Sequence, residues 1–138
     1  MLAAQSILAT RPAETVAMGS VLVQRSAPTE FVIYVESGRV VLGVLGSGAA
    51  LGSVEHQLGV VEGPAWLEAT AGVLSLPGAV DAIAQTAVQL RRVPLKDFRD
   101  CLEGCAPAVQ SMMLDMAKAH RQQTELTVSR LAKDAEAR

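Results

Sequence analysis

Short apolar runs separated by turn residues make up the chain from about residue 16 to residue 93. The runs are rich in β-branched residues, which is typical of strands. They predict strands at residues 21–23, 31–35, 40–45, 56–61, 82–86 and 88–93, with a hairpin or irregular turn at 46–52. Because the connections are too short for crossover helices, the strands are expected to pair antiparallel. The fold class is therefore mainly β with flanking helices, an antiparallel jelly roll or β-roll.

The hydrophobic period changes after residue 93. Residues 94–104 predict a short helix, with Pro94 at its first position and Gly104 as its C-cap. A second helix begins at Pro107 and meets no helix breaker before residue 138. Residues 1–9 predict a short amphipathic helix that stops before a proline. We expect one domain over residues 1–138, with the β-roll at about 16–93 and a long C-terminal helix at 107–138.

One face of the long helix carries a stripe that is apolar at both ends and polar in the middle. The stripe comprises Val109, Met112, Met113, Met116, His120, Gln123, Thr127 and Leu131. A compact β unit offers too little surface to bury so long a helix, so we expect it to pair with the same helix of a second copy. The alternative is that the helix folds back on its own β-roll.

Composition and charge limit the classes of protein to which the chain can belong. The chain is 50% hydrophobic and 19% charged, as in a globular domain, and its 3% aromatic content predicts an aliphatic core. A net charge of −2 leaves no electrostatic footprint for nucleic acid, so direct nucleic-acid binding is not expected. Glycines interrupt the longest uncharged run, and the N-terminus lacks the basic region of a signal peptide. We expect a cytoplasmic protein without a membrane segment.

Candidate reactive groups are few. Cys101 and Cys105 share a face of the predicted short helix, but side chains one helical turn apart are too distant for a good disulfide. They are expected to be small buried hydrophobes, with a redox sensor as the alternative. His56, next to Glu55, and His120 have no partner at catalytic spacing, and no zinc spacing, nucleophile elbow or nucleotide loop occurs. No catalytic residue, enzymatic activity or metal site is expected.

Three segments in order, VESGRV, AVQLRRVPLKDFRDCL and the helix containing MAKAHRQQTE, carry a family resemblance. Over about residues 16–132 the chain resembles the cyclic-nucleotide-binding domain of the CRP/FNR (catabolite-activator) superfamily. The resemblance implies a β-roll with a phosphate-binding cassette and a long helix that closes over the nucleotide and forms a dimer seam. It also implies a regulatory role, with a cyclic nucleotide as the candidate ligand and no other cofactor.

The first half of the cassette departs from the family pattern, which is similar to F-G-E-[LI]-A-L. In the family, the glycine and the helix start present N–H groups to the cyclic phosphate, and the glutamate holds the ribose. Here Gly63 keeps the glycine, Pro64 stands where the glutamate belongs, and Ala65, Trp66 and Leu67 follow. Proline offers neither the acceptor nor a backbone N–H, so the ribose contact is expected to be lost.

The second half of the cassette, an R-[ST]-A pattern whose arginine pairs with the phosphate, is also altered. Gly78 and Ala79 fall at the Arg-Ser/Thr pair, and no arginine or lysine occurs from residue 57 to 87. Glu62 and Glu68 would further disfavour a phosphate. We therefore predict a degenerate cassette that does not bind cAMP or cGMP tightly.

Four other positions bear on the pocket. Trp66 either fills the cavity that a nucleotide occupies in relatives, which we favour, or stacks on a planar ligand. By the resemblance, Gln123, Thr124 and Thr127 lie where the helix covers the ligand. They either face that ligand or set the register of a dimer seam, and we favour the seam.

The expected function is a non-catalytic regulatory or sensor module that works as a homodimer. Transcription factors of the superfamily continue from this helix into a helix-turn-helix domain, whereas the sequence ends at Arg138. We therefore expect it to act through a protein partner. The alternatives are a structural or adaptor dimer with a filled pocket and a redox sensor that uses the two cysteines.

Overall fold

Two four-stranded antiparallel sheets form the body of the protein in the computed structural model, which describes residues 8, 10–44 and 56–137. The strands are β1 (Glu14–Val16), β2 (Val21–Val23), β3 (Phe31–Ser37), β4 (Arg39–Val44), β5 (His56–Glu62), β6 (Ala65–Leu67), β7 (Asp81–Ala84) and β8 (Val88–Pro94). One sheet has the order β1-β8-β3-β6 and the other β2-β7-β4-β5. The predicted antiparallel roll is confirmed.

The core between the sheets is aliphatic, as the composition predicts. Alternate residues of each strand point inward, and the most deeply buried are Val35, Val40, Val88 and Leu90. Gly38 makes the sharp turn between β3 and β4 with a φ of +104°. A Cβ added there would lie 2.6 Å from the carbonyl oxygen of Ala87, so only glycine fits.

Three helices are described: α1 (Ala69–Leu74), α2 (Leu95–Glu103) and α3 (Pro107–Ala137). Pro94 is the N-cap of α2 and Gly104 its C-cap, so the predicted short helix is confirmed to within a residue. Gly72 brings α1 close to the outer face of the β1-β8-β3-β6 sheet. A Cβ on Gly72 would meet Val32 at 2.8 Å and Phe98 at 3.0 Å.

The face of α3 that packs on the roll is not the predicted stripe. The inward positions are Gln110, Met113, Ala117, Arg121, Thr124 and Val128, spaced by three and four residues. Most of them lie one residue beyond a stripe position, which is about 100° around a helix. Helix α3 therefore does fold back on its own roll, but through a neighbouring face.

Most of the predicted stripe stays exposed in the single chain: Val109, Met112, Met116, His120, Gln123 and Thr127 are exposed, whereas Met113 is half-buried. The side chain of Leu131 lies outside the described residues. The stripe thus remains free for contact with another molecule.

The six predicted strands are present, with ends that differ by one or two residues. Strands β1 and β6 were not predicted: β1 (ETV) begins with two polar residues and β6 (AWL) has no β-branched residue, whereas the equally short β2 is the apolar run VLV. The predicted turn at 46–52 and nearly all of the predicted helix at 1–9 lie outside the described residues, as does Glu55. No described helix is long and apolar enough to cross a lipid bilayer.

Candidate ligand cavity

A cavity of about 260 Å³ lies between the β-roll and α3. It is enclosed by strands β2, β4, β5, β6 and β7, the start of α1 and the middle of α3. Its apolar wall consists of Val23, Leu42, Leu58, Val61, Trp66, Leu67, Ala69, Ala71, Ala79, Val80 and Ala82. Its polar residues are Glu68, Thr70, His120, Arg121 and Thr124.

Two further cavities occur in the described part of the chain. One of about 300 Å³ borders the β2–β3 loop and shares Glu68 with the first. The other, of about 400 Å³, is a groove between α1, α2 and the first turns of α3. Although both are larger, the 260 Å³ cavity is the one lined by predicted site residues: Trp66, Leu67 and Ala79 of the cassette segment (residues 63–79) and Thr124 of the long helix. It is therefore the candidate site.

Arg121 is the cation of this cavity. The residue is only 9% exposed. Its Nη1 donates to the carbonyl oxygen of Pro77 at 2.6 Å, and its Nε donates to Glu125 Oε2 at 2.9 Å. Because Pro77 precedes Gly78 and Ala79, the guanidinium ties α3 to the end of the cassette segment.

Arg121 is not among the predicted site residues. By the resemblance, a basic residue was expected within the cassette segment, whereas Arg121 lies 44 residues beyond Pro77 in the chain. The available signal was the inward spacing of Ala117, Arg121, Thr124 and Val128 along α3. Residues 57–87 do lack arginine and lysine, but the cavity gains a cation from α3.

Glu68 lies between the 260 Å³ and 300 Å³ cavities. Burial raises the pKa of its carboxyl group above the usual value, although the hydrogen bond with Thr29 and the charge of Arg121 oppose the shift. The Thr29 hydroxyl donates to the carbonyl oxygen of Leu76 at 2.8 Å and lies 3.2 Å from Glu68 Oε2. The carboxyl group is thus directed toward Thr29 in the β2–β3 loop.

His120 and Thr124 bring α3 to the other side of the cavity. His120 Nδ1 lies 3.0 Å from the Thr70 hydroxyl at the start of α1, within hydrogen-bonding distance. Thr124 lines the cavity one turn further along α3. Together with Arg121, these contacts make the position of α3 depend on the cassette segment.

Several predicted cassette residues lie elsewhere. The N–H of Gly63 donates to the carbonyl oxygen of Gly38 at 3.1 Å, and a Cβ there would lie 2.8 Å from Ser37 N. Gly78 exchanges backbone hydrogen bonds with Ser26 and Ala27, and neither Gly78 nor Ala65 is part of the cavity wall. The two glycines therefore serve close backbone packing rather than an anion.

Trp66, Leu67, Ala79 and Thr124 are the predicted site residues that line the cavity. Gln123 and Thr127 do not line it. Both are exposed, and the Thr127 hydroxyl donates to the carbonyl oxygen of Gln123 at 3.0 Å. Their position suits a surface contact better than a ligand contact.

The prediction that Trp66 fills the cavity is wrong. Its ring lies 5.0 Å from that of Tyr34 and 6.4 Å from that of Phe98, centroid to centroid, and the residue is 38% exposed. Successive residues of a strand point to opposite faces, so Leu67 enters the core while the indole packs toward α2. The cavity consequently remains open.

The cysteines form no disulfide. Cys101 and Cys105 are free and half-buried rather than fully buried, with Cys105 Sγ 3.6 Å from the carbonyl oxygen of Cys101. The described residues contain no cluster of three or more His, Cys, Asp or Glu that could hold a metal. The side chain of His56 lies outside the described residues.

No family model and no curated protein matches the chain. Several solved structures do match the chain. The sensor domain of the transcriptional regulator DNR from Pseudomonas aeruginosa matches with a TM-score of 0.65 and 18% identity, over 88% of this chain and 79% of that domain. The N-terminal domain of a transcriptional regulator from Streptomyces coelicolor A3(2) matches with a TM-score of 0.60 and 21% identity, over 89% and 81%.

The cAMP-bound form of the EAL enzyme Bd1971 matches with a TM-score of 0.69 and 14% identity over 81% of this chain. The chain spans only 29% of that enzyme. At these identities the likeness concerns the fold. The fold that the resemblance implied is thus confirmed: the chain has the antiparallel β-roll and long C-terminal helix of these solved regulator domains.

Proposed function

We propose that this chain is a non-catalytic sensor module that binds a small ligand between its β-roll and α3. The observation that carries the proposal is the open cavity, whose wall joins the cassette segment to α3 through Arg121. A ligand bound there contacts both parts at once, so its binding energy depends on the position of α3. The ligand state can then be transmitted along the helix.

The ligand is not expected to be a tightly bound cyclic nucleotide. Gly63 uses its N–H within the chain, and Pro64 supplies neither the glutamate nor a donor. Gly78 stands where the family has the phosphate-binding arginine, and the carboxyl group of Glu68 adds a further penalty for a phosphate. Hydrogen bonds to charged groups contribute about 1.5–3 kcal/mol each, so losing two lowers affinity on the order of 10³-fold.

Titration calorimetry with cAMP and cGMP tests this claim directly. We expect no binding tighter than about 1 µM for either nucleotide, which corresponds to roughly −8 kcal/mol. Sub-micromolar binding of either one would refute the degenerate cassette.

We further propose that α3 passes the signal to a second copy of the chain and then to a protein partner. Val109, Met112 and Met116 give the exposed side of α3 an apolar surface that water disfavours. Because Arg121 lies on the adjacent face of the same helix, a shift of α3 at the cavity also moves this surface. The domains in transcriptional regulators that share this fold are consistent with such a role.

A purely structural adaptor is the competing function, and it required a filled pocket. The packing of Trp66 toward Tyr34 and Phe98 removes the side chain that was expected to fill it. A redox sensor is tested by replacing Cys101 and Cys105 with serine. If oxidant then changes stability as it does in the unmodified protein, the cysteines have no such role.

A further inference from the structure

We propose that the ligand of the 260 Å³ cavity is a small organic acid, with an apolar body against the cavity wall and one carboxylate bound by Arg121. The inference rests on the proposed function, because it assigns a ligand class to the same cavity. It is carried by three features: the size of the cavity, the composition of its wall, and the unused donors of Arg121.

Size and wall composition define the body of the ligand. Small-molecule sites usually measure about 300–1,000 Å³, so a cavity of 260 Å³ suits a ligand at the small end of the range. Aliphatic residues such as Leu42, Leu58 and Val80 make up most of the wall. They favour a hydrocarbon or ring and offer no partner for the hydroxyl groups of a sugar.

The donors of Arg121 define the head group. A guanidinium carries five N–H donors, and the contacts with Pro77 and Glu125 use two of them. The residue is nine-tenths buried and lines the cavity. An acceptor bound in the cavity can therefore reach the donors that these two contacts do not use. A carboxylate fits because its two oxygens match the planar guanidinium.

Charge limits the ligand to a single anion. Arg121 is the sole cationic arginine or lysine of the described cavity wall, and Glu125 already offsets part of its charge. Glu68 does not replace the ligand as an ion-pair partner of Arg121, since the carboxyl group of Glu68 is directed toward Thr29. A phosphate monoester with two negative charges would therefore be less well compensated than a monocarboxylate with one.

Calorimetric titration of the full chain with two acids and their neutral counterparts tests the proposal. The probes are octanoate against 1-octanol and phenylacetate against 2-phenylethanol. We expect at least one acid to bind about 10- to 100-fold more tightly than its alcohol, the factor expected for a hydrogen-bonded charge pair. Octylamine, whose charge is opposite, should bind more weakly than 1-octanol.

Two variants locate the effect. Arg121→Met should remove the preference for acid over alcohol, whereas Arg130→Met should leave it unchanged, because Arg130 is exposed on the same helix. If Arg121→Met does not fold, Arg121→Lys keeps the charge but loses the planar fork, and a reduced preference is expected. The comparison of probes on the unmodified protein needs neither variant.

Equal binding of acids and alcohols, or no binding of either acid, overturns the inference. Retention of the full acid preference in Arg121→Met overturns it as well. The degenerate-cassette part of the proposed function fails differently, through sub-micromolar binding of cAMP or cGMP. Tight binding of the alcohols alone would contradict the assignment of a carboxylate head group but would agree with a sensor for apolar ligands.

Discussion

Replacing Val128 with alanine tests whether α3 is held against the roll as the structure shows. Val128 is 6% exposed and packs with Val44 and Val80, next to the cavity residues Leu42 and Leu58. Deleting two buried carbons costs about 1.6 kcal/mol of transfer free energy, and the void left behind adds to it. The higher helix propensity of alanine returns about 0.5 kcal/mol. The expected net loss in the free energy of unfolding is about 1–2.5 kcal/mol.

Urea unfolding followed by circular dichroism measures this loss, and the melting temperature should fall by about 4–10 °C. Leu126→Ala is the matched control, because it removes a larger aliphatic side chain that is 65% exposed on the same helix. Its effect should stay within about 0.5 kcal/mol. If Val128→Ala is no more destabilising than Leu126→Ala, the packing of α3 on the roll is wrong.

Three further changes test other parts of the account. Burial raises the pKa of Glu68, so its contribution to stability is complete below the usual value of 4.5 and is lost as the pH rises through the folded-state pKa. The free energy of unfolding of the unmodified protein, relative to Glu68→Gln, should therefore fall as the pH rises above about 4.5; a constant difference would contradict this. Met116→Glu should shift a dimer toward monomer in sedimentation velocity, whereas Ser129→Glu, away from the stripe, should not; equal effects would argue against the seam. Gly38→Ala should cost about 1–3 kcal/mol in urea unfolding, and a neutral effect would show that the turn relaxes.

The fold was accessible from the sequence because its signals are local. Apolar runs rich in β-branched residues identified β3, β4, β5 and β8, and Pro94 and Gly104 marked the ends of α2. Strands β1 (ETV) and β6 (AWL) contain no such run and were not detected. Without β6, the orientation of Trp66 could not be derived, which is why its indole was wrongly placed in the cavity.

The cavity was harder to predict because it depends on contacts between distant segments. Arg121 reaches the site through a carbonyl oxygen, that of Pro77, which no side-chain pattern reveals. The stripe was predicted on the exposed face of α3 because that face carries the methionines. The inward face, with Ala117, Arg121 and Thr124, is less hydrophobic in sequence. Gly63 matched a motif position but serves the backbone of a neighbouring turn.

Amide resonances recorded by NMR during titration with octanoate test the central claim, that the cavity between the roll and α3 is the ligand site. The account predicts that shifts concentrate at the start of α1 and along α3 from His120 to Val128, and that the Nε–H signal of Arg121 moves with them. It would be contradicted by shifts centred on the 300 Å³ cavity beside Thr29 or on the groove beside Leu102. The absence of any shift up to millimolar octanoate would contradict it equally.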